Sequence, residues 1–174
     1  MPRVEIVIGG YGGQGVVLMG QILGKAAAFD GKNAVQLGSY GAEVRGTFTK
    51  SEVIISDDRI NYPAVRKCDV VVAMSQEALD RLLPYLKDDG VLIVDSNVER
   101  IPNVRAKTYV VPATKTAREV FGKDLMANMI ILGALVKITR IVSEESVEKS
   151  IEESVPKGML EDNIKAFKMG LGLV

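Results

Sequence analysis

Apolar and polar positions follow two alternating rhythms along this chain. Residues 4–8 are apolar except at Glu5 and run directly into Gly9-Gly10-Tyr11-Gly12-Gly13-Gln14-Gly15. From Val16 to Phe29 the pattern turns helical, and Gly31 is placed to end that helix in a left-handed conformation. Residues 33–37 and 52–56 read as short strands, with Asp57-Asp58 as a turn. Residues 69–74 (DVVVAM) and 91–94 form continuous apolar runs, the mark of strands buried on both faces of a parallel sheet, and 109–111 adds a short one. Between them Ser75 is a cap for a helix with Leu79, Leu82, Leu83 and Leu86 on one stripe, ended by Asp88-Asp89-Gly90. After Pro112 the chain is helical. Residues 125–140 are apolar on nearly every side, which predicts a helix covered by more than the sheet. Ser143-Glu144-Glu145 caps a helix carrying Val147 and Ile151, and the last helix aligns Leu160, Ile164, Phe167 and Leu171. The alternation predicts a three-layer α/β/α, Rossmann-like domain with a mostly parallel sheet. Without a repeat, low-complexity tract or linker, residues 1–174 read as a single domain.

Charge and composition narrow the function. Twenty-two Lys and Arg balance twenty-two Asp and Glu, so no concentrated positive field exists for nucleic acid or an anionic membrane. Aromatic residues are 5% and Trp is absent, which disfavours base-stacking platforms. With no His, a His–zinc site, a Ser-His-Asp triad and an imidazole base are all excluded. The lone Cys68 can hold neither an intrachain disulfide nor an iron–sulfur cluster, and it reads as a small core residue. The longest apolar stretch, at 126–136, is short of the roughly 20 residues a bilayer requires. The N-terminal segment lacks an apolar signal core, so a cytoplasmic protein is expected.

Two polar clusters carry the candidate chemistry. Gly10, Gly12 and Gly15 satisfy G-x-G-x-x-G between a strand and a helix, where glycines admit a sharp turn and free N–H groups attract an anion. The same glycines could instead serve only to pack helix against strand. Ser39-Tyr40-Gly41-Ala42-Glu43-Val44-Arg45-Gly46 follows the second strand and should reach the same carboxyl edge of the sheet. There Arg45 can grip a phosphate or carboxylate and Glu43 can orient it. A nicotinamide-binding oxidoreductase is the alternative, but it wants an acid at the end of the second strand, where Ser39-Tyr40 stands. Asp95-Ser96-Asn97 either lines this edge or forms a turn, and Lys115 and Arg118 read as a solvated helix face.

Gly-Gly-Gln-Gly at 12–15, the cluster at 39–46, Val-Ile-Ile-Ser at 53–56 followed by Ile60 and Pro63, and Asn163, Phe167 and Gly170 occur together in this order. In that combination the chain resembles the gamma subunits of the 2-oxoacid:ferredoxin oxidoreductases, and most of all the stand-alone 2-oxoglutarate type. It departs at Thr47, where many relatives have a second Gly. The resemblance implies a multi-subunit enzyme that decarboxylates a 2-oxoacid, makes acyl-coenzyme A and reduces ferredoxin. It implies thiamine diphosphate and iron–sulfur clusters on partner alpha, beta and ferredoxin-like delta subunits, and no catalytic or metal-binding residue here. It also implies that Gly12, Gly13, Gln14, Gly15, Ser39, Gly41, Glu43 and Arg45 face coenzyme A. The apolar helix would meet partner chains, or a second copy when the chain is isolated.

Overall fold

The computed structural model describes residues 2–39 and 47–174, the side chain of Ser39 excepted. Six strands form one sheet in the order β2-β3-β1-β4-β5-β6, where β1 is Val4–Tyr11, β2 Asn33–Ser39, β3 Phe48–Ser56, β4 Cys68–Ala73, β5 Leu86–Asp95 and β6 Lys107–Val111. β1 pairs parallel with β4, β4 with β5 and β5 with β6, whereas β3 runs antiparallel to both β1 and β2. Only β3 is reversed, so the sheet is mostly parallel as expected.

The period-2 alternation of each strand divides the core. Ile6, Ile8, Val53, Ile55, Val70, Val72 and Ile93 face a large cluster that includes α1 (Val16–Phe29), α4 (Ala127–Thr139), α5 (Glu144–Ser154) and α6 (Leu160–Leu171). Val7, Val71, Ala73, Leu92 and Val94 face the other side, against α2 (Gln76–Leu82) and irregular segments carrying Val98 and Ala106. Helix α3 (Ala113–Phe121) follows β6 and adds Ala113 and Ala117 to the larger core. Ser75 and Ser143 accept hydrogen bonds from Ala78 N and Ser146 N at the starts of α2 and α5, and Gly31 takes φ 77° after α1.

Three expectations need correction. The helix after Ser75 does not reach Asp88. It stops at Leu82, because Pro84 supplies no N–H and tightens the chain into a single 3-10 turn at Leu83–Tyr85. Asp88-Asp89-Gly90 instead lies within β5, near an irregularity in its pairing with β4. Second, β3 extends back to Phe48 through Thr49 and Ser51, polar residues buried in the sheet; Ser51 Oγ accepts from Gln36 Nε2 at 2.9 Å. Third, α4 offers no apolar surface to a partner. Ala127 through Val136 are all buried within the chain, because α6 lies against α4 at backbone distance, with Gly133 facing Gly170.

Candidate functional site

Strand β1 is central, α1 carries the chain from it to β2 on one side, and β4 lies on the other. That divergence is the switch point where open α/β sheets bind ligands, outside the carboxyl ends of the strands. A cleft of about 320 Å³ opens there. One wall is the glycine turn, Tyr11 to Gln14, with Met74 from the end of β4. The opposite wall comes from distant sequence: Thr114, Asp124, Leu125 and Ala127.

The glycines divide into two groups. A Cβ at Gly9 would fall 2.5 Å from Leu82 Cδ1 and 3.1 Å from Ala78 Cβ, so Gly9 lets α2 close on β1. Gly10 is still in strand β1, paired with Thr49, and Gly15 abuts the buried side chain of Asn128. These three serve packing. Gly12 and Gly13 line the cleft, and Gly13 has φ 100° with open space where a side chain would project. Gly15 is the left-handed N-cap of α1 and provides no side-chain cap. Among the described residues, the N–H groups of Gly13, Val16 and Val17 have no hydrogen-bond partner. A helix N-terminus with free N–H groups favours an anion.

Gln14 holds this turn in shape. Its Oε1 accepts from Tyr11 N at 2.9 Å and its Nε2 donates to Met74 O at 3.0 Å. Both ends of the amide are therefore occupied, and the side chain ties the turn to the end of β4. Gly12 N donates to Thr47 O at 2.8 Å, and Ser39, the last residue of β2, is paired with Lys50. Both ends of the 40–46 segment are thus fastened at the carboxyl edge, Thr47 beside the glycine turn and Ser39 across β3 from it. Gly41, Glu43 and Arg45 themselves lie outside the described residues.

On the far wall, Asp95 ends β5 fully buried and its carboxylate accepts from Thr114 N at 3.2 Å and from Thr114 Oγ1. Arg118 donates to both carboxylate oxygens of Asp124, from Nε to Oδ1 and from Nη2 to Oδ2 at 2.9 Å. Asp124 in turn holds the Arg118 guanidinium above its ordinary value. Lys115 and Arg118 are both exposed, as expected of a solvated helix face, and the ion pair with Asp124 ties Arg118 to the cleft wall. The motifs did not reveal Thr114, Asp124 and Leu125, which carry no local signature and reach the cleft only because α3 and the start of α4 pack over the edge. Among the described residues no group of His, Cys, Asp and Glu is placed to hold a metal ion, and no helix is long and apolar enough to cross a membrane.

The nicotinamide alternative loses ground here. Strand β3 stands between β1 and β2, so the end of β2 is displaced one strand from the glycine turn, and it carries no acid.

Residues 5–173 match the family model described as pyruvate ferredoxin/flavodoxin oxidoreductase. The 2-oxoglutarate synthase subunit KorC of Methanocaldococcus jannaschii is 47% identical over 172 residues, covering 97% of this chain and 92% of that subunit. The gamma subunit of a keto/oxoacid ferredoxin oxidoreductase from Geobacter sulfurreducens has a TM-score of 0.89 at 41% identity, over 99% of this chain and 97% of that one. A 2-oxoglutarate:ferredoxin oxidoreductase from Magnetococcus marinus, with 2-oxoglutarate, coenzyme A and succinyl-CoA bound, shares the fold with a TM-score of 0.90. It does so at 23% identity, over 99% of this chain and 31% of that one. This chain belongs to the pyruvate ferredoxin/flavodoxin oxidoreductase family, as one of its gamma-type subunits.

Proposed function

We propose that this subunit docks coenzyme A in a 2-oxoacid:ferredoxin oxidoreductase of the 2-oxoglutarate type, with residues 1–174 acting as one gamma-type domain. The observation that carries the reading is the glycine turn at the switch point: Gly12 and Gly13 line the cleft, and among the described residues the N–H groups of Gly13 and of Val16 and Val17 at the start of α1 have no hydrogen-bond partner. That donor set suits phosphate oxygens, and φ 100° at Gly13 keeps side-chain bulk away from them. Gly12, Gly13, Gln14 and Gly15 with Ser39, Gly41, Glu43 and Arg45 form the docking set. Gln14 acts by shaping the turn and Arg45 supplies the cation. At about 320 Å³ the cleft takes part of so long a ligand, and partner chains enclose the rest.

The chemistry of oxidation belongs elsewhere in the complex. A chain with no His and one Cys has few groups to run it. Thiamine diphosphate and iron–sulfur clusters sit on alpha, beta and ferredoxin-like delta subunits, and ferredoxin accepts the electrons. The work of such a complex is cytoplasmic.

The test uses the complex pulled down through a tag on this chain, assayed for 2-oxoglutarate- and coenzyme A-dependent reduction of an artificial acceptor. Arg45→Ala and Gly13→Val should raise KM for coenzyme A while the subunit composition stays intact. Unchanged coenzyme A kinetics in both variants would refute the docking role. Loss of partner subunits in Gly13→Val, with normal coenzyme A kinetics in Arg45→Ala, would reduce the glycine turn to an assembly element.

A further inference from the structure

The two walls of the cleft have opposite hydrogen-bonding character. The glycine-turn wall presents a donor, the N–H of Gly13, which has no partner among the described residues, and it leads into the N-terminus of α1. The far wall presents acceptors. Thr114 spends both its N–H and its hydroxyl hydrogen on the buried Asp95, so it has no hydrogen left for a ligand. Asp124 is a carboxylate whose two oxygens each take one hydrogen from Arg118 and retain lone pairs. Arg118 also cancels the charge of Asp124, which allows a carboxylate to stand across a narrow cleft from phosphates. Two exposed apolar side chains, Tyr11 at 41% and Leu125 at 46%, line the cleft, one from each wall.

This arrangement fits a ligand with an anionic group at one end and a flat apolar ring bearing an N–H donor at the other. Resting on the coenzyme A reading above, we propose that Asp124, held in place by Arg118, accepts a hydrogen bond from the exocyclic amino group of the adenine, whose ring lies between Tyr11 and Leu125. Asp124 is then a specificity-determining residue, and Arg118 is a positioning residue that acts through it.

The test compares coenzyme A with 1,N6-ethenocoenzyme A, in which the amino group is built into a third ring and can no longer donate. In the intact complex, kcat/KM should be about tenfold lower for the etheno compound, the worth of one hydrogen bond to a charged acceptor. Asp124→Ala should lower kcat/KM for coenzyme A to the etheno level and leave the etheno value unchanged. Asp124→Asn, which keeps a carbonyl acceptor, should recover part of the preference. Arg118→Ala should weaken the preference without abolishing it. Fluorescence anisotropy of the etheno compound reports binding independently of turnover. Equal losses for both compounds in Asp124→Ala, or no loss for either, would overturn the assignment. Gly13→Val separates the two levels of the argument. If it raises KM for both compounds while Asp124→Ala does nothing, coenzyme A binds here and the adenine assignment is wrong. If neither variant changes either KM, the docking reading itself fails.

Discussion

The close backbone approach of α4 and α6 gives a sharp stability prediction. A Cβ added at Gly133 would overlap the carbonyl oxygen of Phe167, with Gly170 Cα and Leu171 N each at 2.9 Å; one at Gly170 would overlap Ile130 O. These neighbours are backbone and cannot rotate away. To restore ordinary carbon separations of about 3.5 Å, α6 must retreat by at least roughly 0.6 Å from α4. That loosens a seam including Ile130, Ala134, Ala166 and Phe167, all buried. Overpacking of this kind costs about 1–3 kcal/mol and sometimes more, and a seam-wide displacement belongs at the upper end. Alanine returns up to about 1 kcal/mol of helix propensity, leaving a net loss of about 2–3 kcal/mol for Gly133→Ala. For a chain of this length that corresponds to a Tm lower by roughly 5–10 °C. Gly24 in α1 is the internal control, because its Cβ would meet only Gln36 Cβ, at 3.7 Å. Gly24→Ala should gain up to about 1 kcal/mol and raise Tm by about 2–4 °C. Thermal and urea unfolding of the purified chain measure both. In the double variant Gly133→Ala/Gly170→Ala the losses should fall short of additive, since one separation relieves both clashes. A Gly133→Ala protein as stable as Gly24→Ala would refute the close-packed seam.

Burial pushes the Cys68 thiol up to about 12, so iodoacetamide at pH 8 should label it only under denaturing conditions, read by intact mass; labelling of the native chain would contradict its place in the core. Burial raises the Asp30 carboxyl, but hydrogen bonds from Ser146 and Ser143 together with Lys32 outweigh it and hold the pKa below the ordinary 3.8. Its stabilising contribution is thus complete above that value and lost as pH falls through the lower folded one, so the deficit of Asp30→Asn should shrink from pH 5 to pH 2.5 in urea titrations; a constant deficit would count against it. Thr114→Val removes one of two donors to the buried Asp95 and should cost about 1–3 kcal/mol by the same method, with Thr114→Ser close to the parent. A loss below about 0.5 kcal/mol would show that this carboxylate does not depend on Thr114.

Much of the fold was legible because period and punctuation agreed. The apolar runs at 69–74 and 91–94 are buried strands, Ser75 and Ser143 are caps, and Gly31 turns left-handed. What was hidden follows from tertiary context. Lys50 and Ser51 have little strand character, yet they pair with β1 because Ser51 finds Gln36 and because Gly20, lacking a side chain, leaves room for its hydroxyl. The apolar excess of α4 suggested an outside partner, whereas Gly133 and Gly170, about 37 positions apart, let α6 cover it. The near wall of the cleft could be read from one contiguous motif. The far wall could not, since Thr114, Asp124 and Leu125 meet Gly12 and Gly13 only through helix packing.

The glycine motif itself explains why such sequences are read as dinucleotide sites. Its spacing is produced by two independent demands that fall on neighbouring residues. Gly9, Gly10 and Gly15 are small because α2, Gln14 and Asn128 press on them, which any tightly packed β–turn–α unit could require. Gly12 and Gly13 are the glycines of the motif that line the cleft. The discriminating feature is therefore topological rather than local. Insertion of the reversed β3 beside β1 moves β2 outward, displaces the end of β2 from the glycine turn, and sets Thr47, just before β3, against Gly12 instead. The strand–glycine–helix unit is thus the same while the strand beside it differs.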